Sequence, residues 1–182
     1  MAKKYFLATL FFAISFNSNL FAQEALKKGV YSLSGSITFT NSTNESEYGE
    51  TKNLSFFMVP ALTYFLVDNL STGINLSYVY SELSIRNNKF INRSISFGPV
   101  MRYYFTNEKI IPFLEASYRY SNSLIGNEDM NSFSFAGGIN YFLSKSVAIE
   151  PYIEYTKTNY IVADQKISGF SLGMRINYFI LD

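Results

Sequence analysis

Six charged residues stand inside stretches that otherwise alternate between bulky apolar and small polar side chains: Arg102, Glu115, Arg119, Glu150, Glu154 and Arg175. Three are cations and three are anions. An isolated charge in a narrow, poorly hydrated space is costly, so each is expected to have a partner. Glu150 and Glu154 could be read as an acid–base pair. Four strand residues span about 13 Å at ~3.3 Å each, beyond the ~5–9.5 Å of glycosidase carboxylates. Histidine and cysteine are both absent. That removes the commonest neutral-pH base and metal ligand, a Ser-His-Glu arrangement and any ordinary zinc site. No catalytic, cofactor-binding or metal-binding residue is expected, and no enzymatic activity.

These charges are positioned by strands. In Tyr31 to Thr40, Tyr31, Leu33, Ile37 and Phe39 alternate with Ser32, Ser34, Ser36 and Thr38. The same period of two returns in Thr72 to Ser81, Ser94 to Tyr104 and Gly169 to Phe179. Weaker alternation marks Leu54 to Phe65, Ile111 to Ser121, Phe133 to Phe142 and Val147 to Lys157. A tyrosine followed by another aromatic recurs as Tyr64-Phe65, Tyr103-Tyr104, Tyr141-Phe142 and Tyr178-Phe179, at spacings of 39, 38 and 37. A repeat of that length fits one strand–turn–strand unit used four times.

One face of each strand carries large apolar residues; the other carries serine, glycine, asparagine and the six charges. Eight strands enclose only a narrow interior, too small for rows of Phe, Tyr and Leu from every strand. The bulky face therefore points outward into lipid, where the backbone demands closure. The fold expected is all-β: a closed, eight-stranded, antiparallel up-and-down transmembrane barrel. A fourth outer connection centred between Val162 and Ala163 sets Glu150 opposite Arg175. A turn at Asn107-Glu108 sets Arg102 one diagonal from Glu115. Pro60, Pro99 and Pro151 fall inside strands, where a missing N–H breaks the ladder, and bulges are expected there.

Three connections are short: Val67 to Asn69, Thr106 to Lys109 and Leu143 to Ser146. Four read as longer polar loops: Asn41 to Asn53, Glu82 to Arg93, Asn122 to Ser132 and Thr158 to Ile167. That asymmetry places both termini on the periplasmic side. Tyr64, Tyr103, Tyr141 and Tyr178 then form an aromatic belt at the periplasmic rim, and Tyr78, Tyr80, Tyr118, Tyr120 and Tyr155 one at the outer rim. Glu45, Glu47 and Glu50, and Glu128 with Asp129, read as solvated loop acids rather than calcium sites. Asn41-Ser42-Thr43 fits a glycosylation pattern of a kind frequent by chance.

Residues 1–22 read as a signal peptide: Lys3 and Lys4, an apolar stretch from Tyr5 to Phe16, and cleavage after Ala22. The apolar stretch is shorter than the ~20 residues of a spanning helix. Residues 23–182 form the barrel domain. Without Lys3 and Lys4 the chain has 13 basic and 14 acidic residues, which leaves no basic surplus for nucleic acid.

Three segments resemble the small eight-stranded outer-membrane barrels of the OmpA/OmpX-like family: Tyr64 to Gly73, Gly98 to Phe105 and the final strand. Ser171, Gly173, Ile176 and Tyr178 are similar to the terminal signal by which such chains engage the barrel-assembly machinery. The tail Ile180-Leu181-Asp182 runs past the usual final aromatic. The resemblance implies a bacterial outer-membrane location, with lipid and the assembly machinery as partners. Within it, a structural or interaction barrel with a filled lumen and long outer loops as contact surface is the expected role. A narrow charge-lined pore is the alternative, and a lipid-modifying enzyme the remotest.

Overall fold

A computed structural model describes residues 24–46, 49–85, 88–105, 110–123, 129–161 and 164–181. The expected leader, Glu47, Asn107, Glu108 and Glu128 lie outside the described residues, as do the side chains of Glu45 and Glu50. Eight strands follow in order: β1 (Tyr31–Ser46), β2 (Gly49–Val67), β3 (Leu70–Ile85), β4 (Asn88–Tyr104), β5 (Ile111–Ser123), β6 (Met130–Phe142), β7 (Val147–Tyr160) and β8 (Gln165–Ile180). Each pairs antiparallel with its sequence neighbours, and β1 closes on β8. No helix among the described residues is long and apolar enough to cross a membrane, which says nothing of the strands.

The alternation maps directly onto burial. Along β4, Ser94, Ser96, Val100, Arg102 and Tyr104 are buried, while Ile95, Phe97, Met101 and Tyr103 are exposed. Elsewhere the outward positions carry Ile37, Leu62, Ile74, Leu114, Phe135 and Leu172, all exposed. A sheet closed through β1 and β8, with an apolar exterior and a largely polar lumen, suits hydrocarbon as its surroundings.

The expectation of long outer loops is corrected. Most of Asn41 to Asn53 and Glu82 to Arg93 continues as paired strand, to Ser46↔Gly49 and Ile85↔Asn88. β7 and β8 remain paired to Tyr160↔Gln165. The β1–β2 hairpin escaped periodicity because polar residues fill both faces, threonines at 40, 43 and 51 being its remaining strand-like signal. In β3–β4 the signal was present, since Leu83 and Ile85 alternate with Glu82 and Ser84.

The expected bulges at the prolines are also corrected. Register is unchanged across each one: Met58↔Tyr78 and Ala61↔Asn75 flank Pro60, and Phe97↔Tyr120 and Val100↔Ser117 flank Pro99. Gly138↔Tyr152 and Tyr141↔Ile149 flank Pro151. Each proline leaves a gap toward one neighbour and stays paired with the other, as Gly35↔Pro60, Ile74↔Pro99 and Pro151↔Met174. A strand residue bonds toward one neighbour only, so losing its N–H opens one side without an extra residue. The register shift recorded among these strands lies between Phe65 and Val67.

Beside Pro99, Gly98 brings β4 and β5 unusually close. A Cβ there would land on the Tyr118 carbonyl oxygen. Replacing Gly98 with alanine is expected to destabilise the refolded barrel by about 1–3 kcal/mol, read as a lower urea midpoint in vesicles. Gly169→Ala, where nothing lies within 4 Å, should shift it by less than about 0.5 kcal/mol.

Candidate functional site

The lumen is filled in layers, beginning at the end with the short turns. The Tyr–aromatic repeat lies there, and period two splits each pair. Tyr64, Tyr103, Tyr141 and Tyr178 point outward, while Phe65, Tyr104, Phe142 and Phe179 point inward and are buried. With Phe113 and Ile111 they make an apolar floor. Phe65 stacks on Tyr104 at 5.7 Å, and Phe142 on Phe179 at 5.2 Å. Expecting only small polar residues inside was therefore wrong at this end. The signal was present in the sequence: consecutive strand residues face opposite sides.

A short turn before β1 seals the floor from below. Ala25 and Leu26 are buried against it. The Leu26 carbonyl accepts from Asn69 N at 2.8 Å, and Lys28 N donates to the Asp68 carboxylate at 2.8 Å. Asn69 has φ 66°, a left-handed conformation that asparagine tolerates in a two-residue turn. Gly29, at φ 97°, turns the chain into β1.

Above the floor, four of the six expected charges form one network. Arg102 on β4 lies directly opposite Glu115 on β5, not one diagonal away. The β4–β5 register is thus offset by two residues from the one that a turn at Asn107-Glu108 would set. Glu150 on β7 lies opposite Arg175 on β8, as expected. Arg102 Nε donates to Glu115 Oε2 at 2.7 Å, and Arg102 Nη1 crosses the lumen to Glu150 Oε2 at 3.1 Å. Arg175 Nη1 crosses the other way to Glu115, at 2.9 and 3.0 Å, and its Nε stands 3.5 Å from Glu150. Each carboxylate thus touches both guanidiniums, and the four-membered square is neutral. Glu150 is 0% and Arg102 1% exposed.

Residues that sequence reasoning missed complete the layer. The Tyr104 hydroxyl accepts from Arg102 Nη1 at 2.9 Å and donates to Glu150 at 3.3 Å. Asn177 Nδ2 donates to Glu150 Oε1 at 3.1 Å. The Arg175 guanidinium lies 4.3 Å from the Tyr152 ring centre, and that of Arg102 lies 5.1 Å from Phe113. Each of these residues shares a face with a charge two positions away, which is the signal that could have found them.

Arg119 and Glu154 sit one layer nearer the hairpin end, as a separate pair 3.6 Å apart. Arg119 Nη2 donates to Ser134 Oγ at 3.0 Å, and Thr156 Oγ1 donates to Glu154 at 3.1 Å. Glu150 and Glu154 thus belong to different networks.

The nine belt tyrosines all occupy outward positions. Several meet neighbouring rings there: Tyr31–Tyr64 at 4.8 Å, Tyr118–Phe133 at 5.2 Å and Tyr155–Phe170 at 5.0 Å. Of the terminal-signal residues, Ile176 and Tyr178 face outward and are exposed. Ser171 and Gly173 occupy inward positions. Gly173 has a packing reason, because a Cβ there would strike the Tyr152 ring. Asp129 accepts from Tyr120 Oη at 2.7 Å and Asn122 Nδ2 at 3.2 Å. No group of three potential metal ligands occurs among the described residues.

Glu150→Gln leaves the two guanidiniums with one fewer anion. It is expected to cost about 3–5 kcal/mol of unfolding free energy in vesicles. Combining Glu150→Leu with Arg175→Met removes a facing pair and should cost less than either single change, a non-additivity that a double-mutant cycle measures.

No family model matches the sequence, and neither does any curated protein. Solved structures do match. The outer membrane protein OprG from Pseudomonas aeruginosa aligns with a TM-score of 0.52 at 11% identity, covering 86% of this chain and 98% of that one. Neisserial surface protein A aligns with a TM-score of 0.51 at 16% identity, covering 83% and 97%. At such identities the likeness is one of fold, and it agrees with the inverted polarity of the two faces: the chain has the fold of the small eight-stranded outer-membrane β-barrels.

Proposed function

We propose that this protein is an integral outer-membrane barrel with a structural or interaction role, in which the lumen braces the wall rather than conducting. The cross-lumen square carries this reading. Arg102–Glu150 ties β4 to β7 and Arg175–Glu115 ties β5 to β8, across a space the apolar floor closes from below. Side chains at both levels are buried, with polar groups turned toward each other rather than toward water. A conducting path needs wetted, mobile counter-charges; here each charge of the square is engaged by two of the opposite sign.

The contact surface in this reading is the set of tall hairpins in place of loops. β3–β4 carries exposed Leu83, Ile85 and Phe90 together with a Lys89–Glu82 ion pair of 2.8 Å. Lipid surrounds the apolar band, Ser171, Gly173, Ile176 and Tyr178 serve as the assembly signal, and the nine tyrosines mark the two interfaces. Catalysis has no support in this arrangement, because the lumen carboxylates are matched with arginines.

The test is single-channel recording of refolded protein in a planar bilayer, after a gel shift on boiling establishes a folded barrel. A silent bilayer is expected. Discrete, reproducible steps that change with Arg102→Gln would overturn the brace and favour the narrow pore.

A further inference from the structure

The β1–β8 seam departs from the full pairing seen elsewhere. Tyr31 to Gly35 pair with Ile180 to Ile176, and there the pairing stops. Beyond it, β1 from Ser36 to Ser46 is paired on its β2 side, and β8 from Gln165 to Arg175 on its β7 side. The two free edges have equal length. Continuing the register of the formed pairs would bring Ser46 opposite Gln165, so the edges match end to end.

The seam opens the wall sideways at membrane depth. Glu154 pairs with Ser171 on one side and Ala136 on the other. Ala136 is buried, yet Ser171, in an inward position, is exposed. Phe170 stands opposite the outer-rim tyrosine Tyr155. Residues 171–175 therefore lie between the two tyrosine levels. Phe170 and Leu172 are 76% and 85% exposed.

A cavity of about 30 Å³, lined by polar and apolar side chains alike, lies beside the first unpaired residues of the seam, room for about two waters or one carboxyl group. Ser36 and Arg175, the first residue of each strand beyond the last pair, both line it. Glu115, Arg119 and Glu154 line it too, and each is already in an ion pair. Arg175 is only 9% exposed. Its Nη1 is given to Glu115, but Nη2 and Nε make no hydrogen bond, Nε approaching Glu150 at 3.5 Å. Those two nitrogens are the parallel edge of the guanidinium that takes a carboxylate in bidentate fashion. Ser34 Oγ, on the same cavity, is buried without a partner as well, and Asn75 Oδ1, an acceptor also unpaired there, leaves room for a water beside the ligand. Buried polar atoms that converge unpaired on one space call for a polar occupant.

We propose that this is a lateral binding site for a monoacyl carboxylate. The carboxylate seats on the Nε–Nη2 edge of Arg175, with Ser34 beside it, and the acyl chain leaves between β1 and β8 into the bilayer. The site lies above the sealed floor and needs no path through the barrel, so it goes beyond the bracing role; it shares Arg175 with the brace, using the Nε–Nη2 edge while Nη1 stays on Glu115.

The absence of native cysteine makes the test clean. Thr40 and Ser171 would stand opposite each other if the seam zipped in its present register. The T40C/S171C protein, refolded in phosphatidylcholine nanodiscs, would be titrated with oleate carrying a ¹³C carboxyl. Wild type and the reduced variant should show a distinct bound carboxyl resonance. Oxidation should weaken binding by about tenfold or more, and reduction should restore it. Arg175→Lys, which keeps the charge but loses the fork, should weaken binding to a similar degree, and methyl oleate should compete poorly. The proposal is overturned if the oxidised protein binds as well as the reduced one, if methyl oleate competes equally, or if no bound resonance forms and the cavity holds water alone. Failure of the cysteines to join would show that the edges do not meet in this register and would overturn the seam as a closable entrance.

Discussion

In hydrocarbon a strand has no water to satisfy its N–H and C=O groups, and nearly everything in this chain follows from that. The backbone must pair with itself around a ring, which sets a closed sheet everywhere but at the β1–β8 edges beyond Gly35↔Ile176. Eight strands give a ring whose interior is just wide enough for side chains. The exterior must then be apolar and the interior must be filled, so two chemically different faces alternate along every strand. Where the constraint is relaxed, at the β1–β2 hairpin above the membrane, the alternation fades although the ladder continues to Ser46↔Gly49.

The fold was legible because period two is a strong signal wherever one face meets lipid. The partners of the charges were legible only in part. Glu150↔Arg175 followed from counting back from a turn, and Arg102↔Glu115 came out two residues off in register, because moving a turn's centre by one residue moves a facing pair to a diagonal. Tyr104, Asn177, Phe113 and Tyr152 share faces with the charges and could have been named. Their contacts cross the lumen between strands far apart in sequence, and no spacing rule reaches that distance. The tall β1–β2 hairpin was illegible for the opposite reason: polar on both faces, it looks like a loop, whereas Leu83 and Ile85 could have extended β3. The prolines were overread, since a lost donor opens one side of a ladder without shifting it.

Sequence and structure also meet in the repeated aromatic pair. One tyrosine faces lipid and the next ring faces the lumen, so a two-residue motif used four times builds an outer ring and an inner floor at the same height. Its recurrence is thus a product of geometry: even strands end at the same level, and each must there satisfy both an interface and a closing lumen. Gly173 under the Tyr152 ring shows the same economy, as that ring in turn backs the Arg175 guanidinium.

The placement of the square has a consequence for how the barrel enters a membrane. Arg102 and Glu115 sit on strands joined by one turn, and so do Glu150 and Arg175. At the level of the square each hairpin therefore carries one cation facing one anion before the other half of the wall exists, whereas Arg119 on β5 and Glu154 on β7 meet only between hairpins. Only when β4, β5, β7 and β8 come around the ring can the two pairs trade arms, each guanidinium reaching over to the opposite carboxylate. Charge neutrality is thus a local property within the square and the cross-bracing a late one. The four charges of the square need never pass through lipid as bare ions.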